Sequence, residues 1–174
     1  MAPPPTSEWG LDPLFWVNVK VAVCEIVGPD AVVTDVEGGH GAVRLYRGRP
    51  FRRCELMGHV VSLYARDTKT LFVLDDGTGT IECVVWIKSE GDNGGGVDGG
   101  VSVDDFGIDL NALRLGALVR AQGRITEYVG NKQITVRTLQ ACADANVEPL
   151  FWLDQGQCVR EIEEDARRRA DEGG

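Results

Sequence analysis

The chain has 174 residues, 43% of them hydrophobic, which predicts one domain with appendages and a true core; no run approaches the roughly 20 apolar residues that span a bilayer. Its five cysteines (Cys24, Cys54, Cys83, Cys142, Cys158) include no C-x-x-C pair, which argues against a disulfide framework or a zinc site and for a reducing compartment, and MAPPPTSEWG lacks the basic-then-apolar pattern of a secretory signal, so a soluble, intracellular chain with no membrane partner is expected. The net charge of −9 lies at the ends: residues 1–43 hold six acids and one lysine, residues 44–145 thirteen acids and thirteen Lys/Arg, and residues 146–174 eight acids and four arginines, so the central body is neutral and permits nucleic-acid binding without favouring it.

Residues 1–16 form a disordered or loosely packed N-terminus in this reading. In VNVKVAV, valines 17, 19, 21 and 23 alternate with Asn18, Lys20 and Ala22, which predicts an edge strand with one face on the core. GPDAVVTDVEGGHG (28–41) is turn-rich and is expected as a mobile loop. AVRLYRGRPFRR follows, with a tight turn bounded by Gly48 and Pro50. LMGHVVSLYAR (56–66) reads as a long strand, its Gly58 marking a bulge or a barrel corner. LFVLDD and TIECVVW make a hairpin about Asp76-Gly77. Residues 89–105 hold six glycines and predict a flexible insertion; no Gly-Lys-Ser/Thr follows to make it a phosphate loop. IDLNALRLG (108–116) predicts a short helix stopping at Gly116. LVRAQGRITEYV and KQITVRTLQACA are two further strands joined at Gly130-Asn131. The tail 146–170 switches to helical spacing, with Phe151, Cys158, Val159, Ile162 and Ala166 on one face.

Three strands, a helix and a closing hairpin are the layout of the five-stranded Greek-key OB barrel. The fold expected is all-β with flanking helices: an OB-fold domain over residues 17–145, an N-terminal extension and a C-terminal amphipathic helix.

Enzyme signatures do not emerge. His40 and His59 stand outside any zinc-ligand pattern, there is no G-x-S-x-G or H-E-x-x-H, and Asp75-Asp76 reads as turn chemistry rather than an acid/base dyad. A non-catalytic chain without metal or cofactor is expected. OB folds hold single strands by stacking bases on aromatics and steering the backbone with Lys/Arg, usually on strands two and three and the loops beside them. In TIECVVW, Ile81, Cys83 and Val85 suit a barrel interior, which turns Trp86 outward with Glu82 and makes it a stacking candidate. Phe72 is a second candidate, although Leu71, Val73 and Asp75 share the other face of its strand. Arg66 and Lys69 fall in the first flanking loop, and Tyr128 and Lys132 lie beside the second. The arginines 44, 47, 49, 52 and 53 read either as phosphate contacts or as a solvated or partner-facing turn. Trp86 open beside Lys and Arg would favour nucleic acid; Trp86 covered by the N-terminal extension would favour a protein-binding module.

GLDPLFWVNVKV, LYRGRPFRRCELMGHVVSL and LFVLDDGTGTIECVVW resemble the OB-fold domain of the Stn (Stn-one) subunits of the CST telomere-capping complex, which is similar in turn to the middle subunit of replication protein A. The resemblance covers about residues 10–88 and is carried most specifically by Leu-Asp-Pro joined to Tyr-x-Gly-x-Pro. It implies a nuclear, telomeric complex with a large CTC or Cdc-thirteen-type subunit and a small Ten-type subunit. Such complexes bind telomeric single-stranded DNA and support fill-in by DNA polymerase α–primase. It further implies that Trp86 and Tyr128 contact DNA and that the C-terminal helix face packs on the Ten-type partner; Asp75 of the hairpin turn is counted among the candidate DNA contacts as well. An arginine expected ahead of the tyrosine is Thr126 here. The winged-helix extension of longer members is not in this sequence, which reads as a short member or a truncation.

Overall fold

The computed structural model describes residues 5–29, 31–36, 43–87, 108 and 110–172, the side chains of residues 112 and 169–172 aside. The glycine-rich insertion at 89–105 lies outside them. A two-turn 3-10 segment, Thr6–Leu11, and a single-turn one, Pro13–Phe15, come first among the described elements. The second starts with Pro13 at its first position and Asp12 before it, whose carboxylate accepts the Leu14 N–H at 2.9 Å, as helix entry favours. Trp9 and Leu14 are buried, so this part of the 1–16 segment is packed where a loose terminus was expected.

Strand β1 (Asn18–Lys20) leads into a one-turn helix α1 (Val23–Ile26), so only the middle of VNVKVAV is strand. A small antiparallel sheet follows: β2 (Val33–Asp35), β3 (Arg44–Tyr46) and β4 (Arg49–Phe51). Strand β2 falls inside the 28–41 segment expected as a loop; its side of that segment pairs with β3, Val33 opposite Tyr46.

The barrel itself is β5 (Arg53–Ala65), β6 (Lys69–Asp75), β7 (Thr80–Trp86), β8 (Leu118–Tyr128) and β9 (Asn131–Ala141). Antiparallel ladders join β5–β6, β6–β7, β8–β9 and β5–β8, and β7 runs parallel to β9, which closes the five strands. This is the expected OB barrel. Period-two burial makes it: Phe72 and Leu74 of β6, Ile81, Cys83 and Val85 of β7, and Ile134 and Val136 of β9 all point to one core. Gly58 and Gly123 sit where β5 crosses other strands; a Cβ at Gly58 would fall on the Asp75 carbonyl, and one at Gly123 on the Thr135 carbonyl. The β8–β9 turn is centred on Val129 and Gly130, both at positive φ (51° and 77°), one residue earlier than the Gly-Asn pair suggested, and it has the handedness two-residue hairpins prefer. IDLNALRLG holds one 3-10 turn, Leu110–Ala112, and Gly116 beyond it takes φ 78°.

Helix α2 (Val147–Glu172) lies back on this framework. Phe151 and Ile162 are buried, and Cys158 and Val159 pack on the same core. This corrects the assignment of Phe151 and Ile162 to a partner surface; Cys158, Val159 and Ala166 are only half-buried. An amphipathic helix needs its apolar stripe covered, and the chain's own body covers Phe151 and Ile162 and part of Cys158 and Val159.

Candidate nucleic-acid interface

Cross-strand register decides which side chains meet. Lys69 stands opposite Trp86, and Leu71 opposite Val84, so one outer row of β6 and β7 carries a cation, an indole and two aliphatic groups. The Lys69 ammonium lies 5.1 Å from the Trp86 ring centroid and 5.8 Å from that of Tyr128. Both distances fall within cation–π range. Trp86 is 41% and Tyr128 63% exposed. Around them runs a groove of about 710 Å³, lined by Arg66, Lys69, Leu71, Val84, Trp86 and Tyr128 among others. Five of the seven candidate contacts (Trp86, Tyr128, Lys69, Arg66, Lys132) therefore line one groove, four of them with side chains open to a ligand. Tyr128 ends β8 beside Val129, a β-branched residue held at positive φ. That backbone region is unfavourable for such a side chain, and it fixes the turn on the groove's edge.

Phe72 and Asp75 lie elsewhere, and Lys132 is engaged by the chain itself. Phe72 is 1% exposed in the barrel core and presents no ring to a ligand; alternation along β6 puts it on the same side as Leu74. Lys132 lines the groove, but its ammonium donates to the carbonyls of Ile26 and Val33, at 3.3 and 3.2 Å. It stitches α1 to β2 there. Burial, and then the nearby Arg44, hold its pKa below the ordinary lysine value. Asp75 lies at the far end of the hairpin, opposite Thr80, six residues and about 20 Å along the strand from Lys69. Its carboxylate accepts the Gly77 N–H at 2.8 Å.

That turn is a structural corner. Asp76, 7% exposed, accepts the Val23 N–H at 2.7 Å and the Thr78 N–H at 2.8 Å, and the Thr78 hydroxyl accepts the Cys24 N–H at 3.1 Å. The turn thus satisfies the leading backbone donors of α1, which a one-turn helix cannot satisfy internally.

The arginine cluster is also structural. Arg44 pairs with Asp35 and donates to the Ile125 carbonyl at 3.2 Å. Arg47 forks between Glu25 and Glu163, 3.1 Å to each. Arg49 forks between Asp12 (2.9 Å) and Asp165 (3.5 Å). Arg52 lies over the Phe15 ring, and Arg53 donates to the Trp16 carbonyl. Buried Glu25 also accepts from the Tyr46 hydroxyl at 2.9 Å and from Gln155 at 3.0 Å. Burial first, then the Glu25 charge, drives the Tyr46 pKa well above the ordinary phenol value.

Sequence reasoning missed one residue on the groove side. Tyr64 of β5 stands opposite Leu71, is 54% exposed, and carries the Arg66 guanidinium 4.9 Å from its ring centroid. Tyr64 and Arg66 at i and i+2 share a strand face, a signal present in LYAR. Among the described residues, no group of three or more His, Cys, Asp or Glu could hold a metal ion, and no helix is long and apolar enough to cross a membrane.

The family model described as "OB-fold nucleic acid binding domain" matches residues 55–141. Among curated relatives, CST complex subunit STN1 of Arabidopsis thaliana is 32% identical over 119 residues, covering 63% of this chain and 71% of that protein. The protein of the same name from Ailuropoda melanoleuca is 27% identical over 170 residues, covering 91% of this chain and 45% of the relative. The chain thus spans less than half the length of that relative. A 32 kDa replication protein A subunit of Oryza sativa is 27% identical over 153 residues, or 88% of this chain and 32% of that one. The chain also superposes on a chain of the S. pombe Stn1–Ten1 crystal structure with a TM-score of 0.59 at 13% identity, covering 79% of this chain and 90% of that one, which supports the barrel assignment.

Proposed function

The chain belongs to the family of CST complex STN1 subunits, and on that premise we propose that it is a non-catalytic subunit that binds telomeric single-stranded DNA. It does so in company with a large CTC or Cdc-thirteen-type subunit and a small Ten-type subunit, at chromosome ends in the nucleus. The same complex supports fill-in synthesis by DNA polymerase α–primase. One observation carries the reading: Trp86 and Tyr128 stand open on the sheet with Lys69 against both rings. Aromatic faces that accept bases, with cations beside them for phosphates, are what a single strand needs. Among the described residues Trp86 stays 41% exposed, which supports DNA over a purely protein-binding module.

Because the chain's own body covers the Ile162 face of α2, the Ten-type partner docks on the exposed face of the helix's first turns, where Leu150 and Leu153 are 58% and 66% exposed. Exposed leucines on a helix rim fit a helix-on-helix contact.

The test is fluorescence-anisotropy binding of a telomeric-repeat oligonucleotide to the chain co-expressed with its Ten-type partner. Trp86→Ala weakens binding by about 5- to 150-fold, the value of one stacked base. Leu153→Asp abolishes co-purification of the partner. Wild-type binding at background level would sink the DNA reading. Similarity to a replication protein A subunit favours a second reading, general single-strand binding; equal affinity for telomeric repeat and oligothymidylate would select it.

A further inference from the structure

We propose that Tyr64 and Arg66 form a second base-stacking subsite, so that one nucleic-acid strand crosses the sheet from Tyr128 and Trp86 to β5. The inference rests on the reading of the groove as a single-strand site and adds a residue to it.

Position is the first argument. Tyr64 lies directly opposite Leu71, and Leu71 opposite Val84, and paired residues point to the same side of a sheet. Leu71 and Val84 both line the groove, so Tyr64 extends that row by one strand. Strand spacing and rise put Tyr64 and Trp86 about 12 Å apart, two strands over and two residues along. A stacked strand rising about 3.4 Å per nucleotide covers that distance in three or four nucleotides. This lies within the footprint of one OB barrel, about 4–16 nucleotides.

Chemistry is the second. Tyr64 is 54% exposed and carries a guanidinium over one face, as Trp86 carries an ammonium. Arg66 also lines the groove, so a single side chain touches both the shared channel and the outer ring. An arginine at this place pairs with phosphate while its ring neighbour accepts a base. The acids nearby, Asp67 in the loop and Glu82 and Glu127 on the strands, leave the local charge close to balanced, so affinity here comes from stacking more than from field.

The experiment measures binding of oligothymidylates of about two nucleotides, too short to reach from Trp86 to Tyr64, and of about sixteen to the full chain co-expressed with its Ten-type partner, for wild type, Trp86→Ala, Tyr64→Ala and Tyr64→Phe. The expected pattern is a loss of about tenfold or more for Tyr64→Ala on the longer oligomer, little change on the shorter one, and recovery in Tyr64→Phe, since stacking needs the ring and not the hydroxyl. Trp86→Ala weakens both lengths. If Trp86→Ala weakens binding and Tyr64→Ala changes neither length, the second subsite is overturned and the groove reading stands. Loss of the partner by Tyr64→Ala with DNA binding intact likewise overturns it, making the exposed Tyr64 face of β5 a protein contact. Wild type binding neither oligomer nor telomeric repeat overturns both readings.

Discussion

Two regions of this barrel hold the same kinds of side chain in opposite states. On the α2 side, arginines 47 and 49 each reach carboxylates of the chain itself, Glu163 and Asp165 of the helix among them, and Tyr46 is bonded to Glu25. On the groove side, Lys69 and Arg66 rest on the faces of exposed aromatic rings. An ion pair with several hydrogen bonds is hard to exchange; a cation on an exposed ring, at about 0.5–1 kcal/mol, is easily exchanged. The densest positive segment of the sequence is therefore internal scaffolding, and two more widely spaced cations remain available to a ligand. Charge density does not measure availability.

Three substitutions sharpen that contrast, beginning with the largest effect. Ile162→Asp, which places a charge in the packed face under α2, lowers folding stability by about 3–5 kcal/mol, read by urea denaturation. An unchanged denaturation midpoint would mean that the helix is not held as described. Arg49→Ala removes hydrogen bonds to Asp12 and Asp165 and strips the largely buried Asp12 carboxylate of its cation. A loss of about 2–3 kcal/mol is expected, and a double-mutant cycle with Asp12→Ala should return most of it as coupling. Trp86→Ala, on the open side, shifts stability by no more than about 0.5 kcal/mol while weakening DNA binding. A large drop in thermal midpoint would place Trp86 in the scaffold class instead.

The barrel was legible in the sequence because its signals are local. Alternation in TIECVVW sorted Ile81, Cys83 and Val85 from Trp86, and Asp76-Gly77 set the turn between β6 and β7. Phe72 was ambiguous because LFVLD is apolar on both faces, and only the closed barrel says which face is inside. The helix stripe announced that something covers Ile162, but amphipathic spacing cannot name the cover. The partners of the arginines are even less readable: Glu163 and Asp165 lie 116 residues beyond Arg47 and Arg49, a distance no local pattern spans. Tyr64 went unnoticed for a related reason, since its membership of the groove depends on the register of β5 against β6.

The β5–β8 ladder, one of the barrel's two long-range seams beside β7–β9, has a consequence in time. It pairs Cys54 with Gly123 and His59 with Leu118, while the β5–β6–β7 meander pairs near neighbours. Long-range pairing is slow because loop closure must precede any gain. At ribosomal speeds of about 5–20 residues per second, roughly 3–14 seconds pass between emergence of β5 and of its mate. Through that interval the newborn meander shows an unzipped edge, open to stray strands. Gly58 and Gly123 lie on that ladder and admit no side chain, because a Cβ there would fall on the Asp75 carbonyl of β6 and the Thr135 carbonyl of β9.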